Sequence, residues 1–362
     1  MSKILIDARE SGTSTGRYID KLVEHLHKLR PEEDITVLTK PARVEYIKRV
    51  APSYEVVESP HKEFTMAEQT ALKKQLESLK PDLVHFGMIQ QPVNYRGKTI
   101  TTMHDLTTVR FNNPSKNPII YKFKQQVYKY VIKQAARKAA QLITPSRFVK
   151  DDLATFAGVS PDKITVTYEA AELIRDDAEP IQALAGKQFL LYVGRPTPHK
   201  NLERLIKAFE QLQPKHPDLQ LVLAGKKDAN YQRIERKTKK LQNIYFTDFV
   251  SEGQLRWLYE HCAAYVFPSL SEGFGLPGLE AMAHAAPVVS SNATCLPEIY
   301  GEAAHYFDPK DVPAMATAIE QVLTDAKLRA TLIQNGQKQM KKYSWRQMAE
   351  QTLEVYQKAL KN

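Results

Sequence analysis

The chain has 362 residues, of which 43% are hydrophobic and 25% charged, with a mean hydropathy of −0.43 and a formal net charge of +10. This length predicts two domains of the usual ~100 to 200 residues, and no apolar run approaches the ~18 residues of a membrane span. The two cysteines, Cys262 and Cys295, exclude a disulfide scaffold and a cysteine-based zinc site. The opening MSKILIDARE is not typical of a signal peptide, so we expect a cytoplasmic protein.

Short β-branched or aromatic runs alternate with longer helical patterns along the chain, as βαβ units require. The runs of the first half are Ile4 to Asp7, Ile35 to Thr39, Leu83 to Phe86, Thr99 to Thr102, Leu142 to Thr144 and Ile164 to Tyr168. Those of the second half are Phe189 to Val193, Leu219 to Leu223, Ile244 to Phe246, Tyr265 to Phe267 and Val288 to Ser290. Such apolar runs predict an α/β fold of parallel strands covered by helices on both faces.

The segment from Glu172 to Gln188 is the predicted linker, because it is charged, contains Pro180 and shows no period. We therefore predict one domain at residues 1–175 and a second at 176–344. A last helical pattern, from Trp345 to Leu360, occupies residues 345–362 beyond the final α/β unit. Two doubly wound domains bring the carboxyl ends of two parallel sheets to one cleft, where open α/β sheets bind ligands.

The loop from Glu10 to Gly16 joins the first predicted strand to a helix that begins near Arg17. Glycines allow the backbone to approach a ligand closely, and a helix N-terminus favours a phosphate, so Gly12, Thr15 and Gly16 are candidate contacts. The loop is not a P-loop, because no Lys-Ser or Lys-Thr pair follows Gly16. A flexible turn lined with small residues is the alternative.

The basic excess is concentrated between Arg110 and Lys150, where ten Lys and Arg residues occur without any Asp or Glu. As a helix from about Ile119, the segment would turn apolar side chains inward, namely Ile120, Phe123, Val127, Tyr130 and Val131. Its cations would form another stripe, namely Lys122, Lys129, Lys133 and Arg137. Such a stripe attracts an anionic membrane or a lipid-linked phosphate at ~1 kcal/mol for each cation. A solvated helix face is the alternative.

The stretch YVGRPTPHKNLERLIKAF, from Tyr192 to Phe209, ends a strand and opens a helix that Asn201 can cap. Between them lies a loop that carries Arg195 and Lys200. Two cations beside a helix N-terminus can form a pyrophosphate site without a metal. Solvated loop charges are the alternative interpretation.

The stretch SLSEGFGLPGLEAMAHAAPVV begins at Ser269, follows a strand and opens a helix. Pro277 suits the start of a helix, and backbone N–H groups from Gly275 to Gly278 are candidate donors to a ligand. Glu272 and Glu280 stand eight positions apart. This spacing is poor for an acid/base couple acting on one bond and good for holding two sets of sugar hydroxyls.

The glycines Gly273, Gly275 and Gly278 also satisfy the dinucleotide fingerprint G-x-G-x-x-G. Against a nicotinamide or flavin site, Pro277 stands inside the turn, and the next strand ends in serines where a ribose-binding acid belongs. A nicotinamide-dependent oxidoreductase is nevertheless kept as an alternative of another class.

The combined motifs resemble the retaining glycosyltransferases of family 4, which have the GT-B fold. The resemblance rests on G-R-x5-N from Gly194 to Asn201 and E-G-F-G-L-P-x2-E from Glu272 to Glu280. Further motifs are HDL from His104, TPSRFVKDDL from Thr144 and YSW from Tyr343. The resemblance implies two Rossmann-like doubly wound domains facing across a cleft, the first binding the acceptor and the second the nucleotide-sugar donor. It also implies that the final helix crosses back to the first domain.

The resemblance assigns roles to individual positions. It implies that Arg195 and Lys200 hold the donor diphosphate, and that Glu280 binds the ribose. It implies that Glu272 binds the donor sugar. The other implied donor-binding positions are Gly194, Asp248, Phe249, Val250, Gly273, Phe274, Gly275 and Leu276. Because Asp248 stands where similar enzymes often have glycine, the base preference stays open.

His104 matches the family histidine that faces the reacting sugar, so the implied catalytic set is His104, Arg195, Lys200 and Glu272. Its neighbour Asp105 could orient the imidazole ring or cap the next turn. The other histidines form no metal-ligand constellation with suitable carboxylates. By resemblance, we expect no divalent metal and no cofactor.

The expected function is retaining transfer of a hexosyl group, with mannosyl as the first guess, from a nucleoside-diphosphate sugar to a hydroxyl of a glycan or lipid-linked acceptor. The expected setting is polysaccharide or O-antigen-type biosynthesis at the inner face of the cytoplasmic membrane, with peripheral membrane contact left open. Alternatives within the fold are a UDP-sugar-dependent glucosyl- or N-acetylglucosaminyltransferase, a sugar-nucleotide epimerase and a glycan phosphorylase. A nucleic-acid-binding protein would explain the basic segment but leaves the loop with Glu272 and Glu280 without a purpose.

Overall fold

The computed structural model describes residues 1–13, 15–111 and 118–361, and the side chains of 118–122 lie outside this description. The chain forms two compact units. The first comprises Met1–Val109, Lys122–Glu169 and Ser344–Asn362, and the second comprises Arg110–Tyr121 and Ala170–Tyr343.

The first unit contains a parallel sheet of seven strands in the order β3-β2-β1-β4-β5-β6-β7. Its strands are β1 (Lys3–Asp7), β2 (Asp34–Thr39), β3 (Glu55–Glu58), β4 (Leu83–Phe86), β5 (Thr99–Thr102), β6 (Gln141–Thr144) and β7 (Ile164–Val166). Its helices are α1 (Arg17–Leu29), α2 (Val44–Val50), α3 (Lys73–Leu79), α4 (Thr107–Arg110), α5 (Pro118–Lys138), α6 (Arg147–Ala157) and, from the chain's end, α14 (Trp345–Lys361). Because the strand order reverses between β1 and β4, the sheet is doubly wound.

The second unit contains a parallel sheet of six strands in the order β10-β9-β8-β11-β12-β13. These strands are β8 (Phe189–Val193), β9 (Gln220–Ala224), β10 (Ile244–Asp248), β11 (Ala264–Phe267), β12 (Val288–Ser291) and β13 (Ala304–Phe307). The helices are α7 (Leu202–Leu212), α8 (Ala229–Thr238), α9 (Glu252–His261), α10 (Leu276–Ala283), α11 (Leu296–Tyr300), α12 (Val312–Thr324) and α13 (Ala326–Met340). The order is that of a Rossmann fold, with its reversal between β8 and β11.

The core of each unit follows from the sequence runs. Strands β4, β5 and β6 of the first unit are buried along their whole length, as are β11 and β12 of the second. Burial on both faces explains why β11, with the sequence AYVF, has a continuous apolar pattern rather than an alternating one. Helix α7 buries Leu202, Leu205, Ile206 and Phe209, which recur at the three- and four-residue spacing of one helix face.

Eleven of the strands lie within two residues of the predicted runs, and two were missed. The missed strands are β3 and β13, each at an edge of its sheet. In EVVE two apolar residues stand between charged ones, and AHYF is interrupted by a histidine, so neither has the longer β-branched or aromatic run found in the other two edge strands, β7 and β10.

Helix α5 buries a different face from the one predicted. Phe123, Val127 and Tyr130 are 70%, 47% and 58% exposed, so the prediction that they turn inward is wrong. The helix is buried near its C-terminal end through Ile132 and Ala136, which pack with residues of β6 and α6. Apart from Ile132, this buried face consists of alanines, whose small side chains give a weak periodic signal in the sequence.

Candidate functional site

The second unit brings two predicted site residues together at its topological switch point. Lys200 follows β8, Glu272 follows β11, and the strand order reverses between these two strands. Crevices at the carboxyl ends of strands beside such a reversal are where open α/β sheets bind ligands. The topology alone therefore marks the position between Lys200 and Glu272 as a candidate site.

Lys200 and Glu272 form a close ion pair. The Lys200 Nζ atom donates to Glu272 Oε1 over 2.6 Å, and the two side chains are only 18% and 12% exposed. Lys200 Nζ also lies 5.4 Å from the centre of the Phe267 ring. The Glu272 N–H donates to Thr294 Oγ1 over 3.1 Å, which fixes the backbone that carries the carboxylate. A largely buried lysine thus faces a carboxylate where a charged ligand would bind.

Asn201 positions the Lys200 loop, although not by capping the helix as predicted. It adopts a φ of 61°, and its side chain makes no capping hydrogen bond to α7. Instead, its Nδ2 donates to the carbonyl oxygens of Pro268 and Pro309 over 3.0 and 2.7 Å. The left-handed backbone turns the amide away from the helix N-terminus, and the two bonds tie the loop after β8 to the loops after β11 and β13.

The Glu280 carboxylate accepts a hydrogen bond from a residue of α9. Tyr259 is fully buried, and its hydroxyl donates to Glu280 Oε2 over 3.1 Å. The Tyr259 ring also stacks on His284, whose Nδ1 donates to the Glu280 carbonyl while its Nε2 accepts from the Ile174 N–H. These two contacts fix the neutral form of His284 with its proton on Nδ1. Tyr259 therefore orients one oxygen of the carboxylate that the resemblance assigns to ribose.

The glycine pattern of this loop is explained by packing against Tyr300. A Cβ atom at Gly275 would lie 2.5 Å from the Tyr300 hydroxyl, and one at Gly278 would collide with the same ring. Gly275 also adopts a φ of 92°, and its carbonyl accepts from Tyr300 over 2.5 Å. The third glycine of the G-x-G-x-x-G match is therefore required by a tyrosine of α11.

Three further predicted donor positions, Gly194, Asp248 and Phe249, lie at the ends of β8 and β10. Gly194 adopts a φ of 145°, and its carbonyl would lie 2.5 Å from a Cβ on Gly225, so two backbones approach closely there. Asp248 occupies the left-handed region with a φ of 62°, and its Oδ1 accepts from the Lys227 N–H, which lowers the pKa of the carboxyl. Phe249 is 79% exposed.

Three other predicted positions differ in exposure. Arg195 is exposed, Val250 is half-buried and Phe274 is buried, with its ring 5.6 Å from that of Tyr343. The structure thus pairs Lys200 with Glu272, while Arg195 lies exposed in the loop after β8.

An open cavity of about 520 Å³ lies at the carboxyl ends of β11, β12 and β13. It combines apolar surface with an amide, a carboxylate and an ammonium group, and it is lined by Phe111, Leu270, Asn292, Ala293, Asp308, Pro309 and Lys310. Sugars present both apolar faces and hydroxyls, so this lining suits them chemically. The cavity borders the loop that leads from Leu270 to Glu272.

In the first unit, His104 lies in the loop after β5 and contacts two acceptors. Its Nδ1 is 3.2 Å from Glu169 Oε1, and its Nε2 is 3.0 Å from the Gly87 carbonyl oxygen. Burial acts to lower the pKa of His104, but the hydrogen bond and charge of Glu169 outweigh it, so the pKa is raised. Asp105 accepts from the Thr107 N–H over 2.8 Å and therefore caps the next turn rather than orienting the ring.

The loop after β1 is held by Asp20, a residue of α1 that the sequence did not mark. Its carboxylate accepts from the Ser11 hydroxyl over 2.5 Å and from the Gly12 N–H over 3.1 Å. The Gly16 N–H donates to Thr13, and a Cβ at Gly16 would collide with the Glu10 carbonyl. The loop is thus closed on itself at Gly12 and Gly16, while Thr15 lies beside Thr13 with its hydroxyl 3.3 Å away.

The predicted cation stripe on α5 is partly described. Arg137 is exposed, Lys129 and Lys133 are half-buried, and the Lys122 side chain lies outside the described residues. Lys133 Nζ sits 5.2 Å from the centre of the Phe156 ring. Arg137 donates to the Ala157 carbonyl over 3.1 Å, so it also joins α5 to α6.

No group of three or more His, Cys, Asp or Glu side chains among the described residues has an arrangement that could hold a metal ion. No helix within the same residues is long and apolar enough to span a membrane.

Two family profiles match consecutive parts of the chain. Residues 15–173 match "Glycosyltransferase Family 4", and residues 174–339 match "Glycosyl transferases group 1". The O-antigen chain mannosyltransferase B of Escherichia coli is 29% identical over 371 aligned positions, which cover 95% of this chain and 96% of that protein.

Solved structures have the same fold. A sucrose-phosphate synthase from Thermosynechococcus elongatus superposes with a TM-score of 0.77 at 20% identity, covering 99% of both chains. Anabaena HepE in complex with UDP-glucose superposes with a TM-score of 0.75 at 17% identity, covering 99% of this chain and 100% of that one. Together with the two doubly wound sheets, these matches show that the chain has the GT-B fold, belongs to glycosyltransferase family 4 and is a glycosyltransferase.

Proposed function

We propose that the enzyme transfers a mannosyl group, with retention of configuration, from a nucleoside-diphosphate sugar to a hydroxyl of a glycan or lipid-linked acceptor. The observation that carries this proposal is the partly buried Lys200–Glu272 pair at the switch point of the second sheet. Mannose and O-antigen-type synthesis are supported by the name of the Escherichia coli relative, and a nucleotide-sugar donor by the UDP-glucose in HepE.

The ion pair suits a donor that carries both negative charge and hydroxyls. A diphosphate placed beside Lys200 would receive charge-assisted hydrogen bonds from its ammonium group. Glu272 would then accept hydrogen bonds from hydroxyls of the donor sugar. Because Lys200 and Glu272 pair with each other, neither charge lies in the crevice without a partner.

The proposed chemistry is front-face attack. The bond between the sugar C1 and the phosphate oxygen breaks, and a bond from the acceptor oxygen to C1 forms on the same face. The acceptor proton passes to the departing phosphate oxygen. Lys200, with Arg195 brought in from the exposed loop, stabilises the negative charge that develops on the diphosphate.

We further propose that transfer requires no divalent cation, because Lys200 and Arg195 supply positive charge at the diphosphate. The test is turnover in the presence of excess EDTA. Unchanged turnover supports the proposal, and a loss of activity that added magnesium or manganese restores would contradict it.

The acceptor side is proposed to contact an anionic membrane surface. The described part of α5 exposes Phe123, Val127 and Tyr130 next to lysines such as Lys124. Phe64 is 69% exposed, and its ring lies 5.7 Å from that of Tyr128, which extends the apolar surface beyond the helix. Exposed apolar rings beside cations are the features of a peripheral membrane contact.

Sedimentation with vesicles tests the membrane proposal. The enzyme is expected to bind vesicles that contain anionic lipid more strongly than neutral ones, and the double variant Phe123→Ser, Tyr130→Ser should bind less. Replacing the equally exposed Leu173 by Ser, in a different part of the chain, is the matched control. Equal binding by the double variant and the wild-type enzyme would contradict the proposal.

The donor is tested by incubating the enzyme with GDP-mannose, UDP-glucose and UDP-N-acetylglucosamine and a panel of lipid-linked and free glycans. Product formed from GDP-mannose, with an α-anomeric proton signal matching the α-linked donor, supports mannosyl transfer with retention. Product formed only from a UDP-sugar would replace mannosyl by glucosyl or N-acetylglucosaminyl transfer. Donor consumption without a second sugar would indicate an epimerase or a hydrolase instead.

A further inference from the structure

Both ring nitrogens of His104 face groups that only accept hydrogen bonds. The Gly87 carbonyl oxygen lies 3.0 Å from Nε2, and a carboxylate oxygen of Glu169 lies 3.2 Å from Nδ1. A neutral imidazole has one N–H and leaves its other nitrogen as an acceptor. Only the doubly protonated ring can donate to both neighbours.

The shared proton belongs on the imidazole rather than on the carboxyl group. Histidine is the stronger base, with an ordinary pKa near 6.5 against about 4.3 for glutamate. Glu169 is only 7% exposed and His104 16% exposed, so the pair is shielded from water. In that environment a carboxylate directly bonded to the ring favours the cation.

The other groups that face His104 come from α1, β4 and its own loop. Tyr18 of α1 packs its ring edge against the imidazole at 4.9 Å, and burial keeps its hydroxyl protonated by raising its pKa. His85 of β4 is fully buried, and burial together with the charge of His104 lowers its pKa to about 3. Asp105 adds a negative charge nearby. The surroundings therefore contain one neutral histidine, one neutral phenol and two carboxylates.

His85 is fixed as a neutral ring by its own contacts. Its Nδ1 lies 2.6 Å from the Tyr356 hydroxyl, and its Nε2 lies 2.8 Å from the Thr102 hydroxyl. Hydroxyls can donate or accept, so a neutral ring satisfies both. The two neighbouring histidines thus differ in charge because one faces hydroxyls and the other faces a carboxylate and a carbonyl.

From this arrangement we propose that Glu169 is a positioning residue, which holds His104 as a doubly protonated cation that acts in transfer through its charge and not as a proton acceptor. The part concerning transfer rests on the proposed function. An imidazolium has no lone pair on either nitrogen, so it cannot remove the acceptor proton. That proton then goes to the departing phosphate oxygen, and His104 contributes a fixed positive charge at the carboxyl edge of the first sheet.

The charge is measured directly by nuclear magnetic resonance on the full-length protein carrying ¹⁵N-labelled histidine. The His104 signals are identified by their loss in His104→Gln. At about pH 7.5, above the ordinary histidine pKa, both His104 nitrogens should have the shifts of a protonated ring. A neutral His104 in the wild-type protein at this pH would overturn the proposal without any variant of Glu169.

Glu169→Gln keeps the size of the side chain and removes its charge, so His104 should lose its proton at about pH 7.5. Asp105→Asn is the matched control, because it removes a nearby carboxylate that is not bonded to the ring. Glu169→Asp restores the charge and should restore the protonated signals. If Glu169→Gln and Asp105→Asn change the His104 signals equally, the assignment to Glu169 is wrong.

The pH dependence of kcat/KM separates positioning from a structural role. Glu169→Gln should lower kcat/KM at least tenfold at about pH 8, and the loss should shrink as the pH falls toward 6 and the ring takes up a proton from solution. A loss of the same size at both pH values would indicate structural damage and contradict the proposal. If no donor supports transfer by the wild-type enzyme, the proposed function fails, while the resonance experiment still decides the charge of His104.

Discussion

Each unit places a cation against a glutamate at the carboxyl edge of its sheet, but the two pairs are built differently. Among the described residues, the ammonium group of Lys200 donates to one carboxylate, Glu272, and carries further protons for a ligand. The imidazole of His104 has two N–H groups, and both face acceptors of its own unit. The Lys200–Glu272 pair can separate to bind a donor. In the His104–Glu169 pair both N–H groups are already hydrogen-bonded, so His104 serves as a fixed charge.

The residues that hold Lys200 and His104 in place also differ between the two pairs. Lys200 lies in a loop between β8 and α7, tied down by the side chain of Asn201. The His104 ring packs against the buried ring of Tyr18, which in turn contacts the buried ring of His85. A group that must exchange partners needs a side chain with rotational freedom, while a fixed charge needs rigid neighbours. The comparison predicts large catalytic effects at the first pair and pH-dependent effects at the second.

The largest effect is expected from Lys200→Ala. Removing the charge that faces the departing diphosphate should lower kcat by about 10²- to 10³-fold, as for the loss of one preorganised donor to a developing charge. Discrimination between donor sugars should change less. Steady-state kinetics with several donors measure both quantities, and an unchanged kcat would overturn the assignment of Lys200.

A smaller effect is expected from Glu272→Gln. The amide cannot accept the same charge-assisted hydrogen bonds from sugar hydroxyls, a loss of roughly 1.5–3 kcal/mol, or about 10- to 100-fold in kcat/KM. Binding of the nucleoside diphosphate alone should be retained, because that ligand has no sugar at this position. Equal weakening of diphosphate and nucleotide-sugar binding would place Glu272 outside the sugar site.

The His104–Glu169 pair is expected to contribute to the stability of the fold in a pH-dependent way. Because the folded-state pKa of His104 is raised, the ion pair stabilises the fold fully below the unfolded-state pKa near 6.5 and progressively less as the pH rises through the folded-state pKa. Glu169→Gln should therefore cost about 1.5–3 kcal/mol at pH 6 and less at pH 9. Urea unfolding at the two pH values measures the difference, and a cost that grows with pH would have the wrong sign.

Asn201→Ala tests whether the side chain of Asn201 holds the loop that carries Lys200. The variant leaves two buried carbonyl oxygens, those of Pro268 and Pro309, without this donor and should destabilise the protein by about 1–3 kcal/mol. Asn243→Ala is a useful control, because its amide also donates two bonds but one of them is exposed. A smaller loss of unfolding free energy for Asn201→Ala than for Asn243→Ala would contradict the role of Asn201 in holding this loop.

The smallest effect is expected from Tyr259→Phe. It removes one hydroxyl donor to Glu280 without opening a large cavity, which corresponds to about 0.5–1.5 kcal/mol, or roughly 2- to 10-fold in Kd for the nucleoside diphosphate. The loss should vanish for a nucleotide that lacks ribose hydroxyls. Calorimetry with the ribo- and deoxyribonucleotide measures it, and equal losses for both would separate Tyr259 from ribose binding.

The sequence predicted those parts of the molecule that depend on local patterns. Most of the buried parallel strands contain an apolar run, and Lys200 and Glu272 lie in motifs that follow such runs, so the sequence predicts both as site positions. Glu169 and Tyr259 were missed, because their roles depend on which loop or helix lies beside them across the sheet. Glu169 lies three residues after β7, and a charged residue soon after a buried strand is the one signal that marks it.

The proposed chemistry requires a nucleoside-diphosphate site at Lys200, which ligand-induced thermal stabilisation tests most directly. UDP, GDP, ADP and NAD are added in EDTA to the wild-type protein, to Lys200→Ala and to Lys215→Ala, which removes an exposed lysine paired with Glu320. At a hundredfold excess over Kd, a bound ligand adds about 2.7 kcal/mol of stability. We predict stabilisation by one nucleoside diphosphate, lost in Lys200→Ala and kept in Lys215→Ala. Stabilisation by NAD alone, or by a diphosphate equally in all three proteins, would contradict the account.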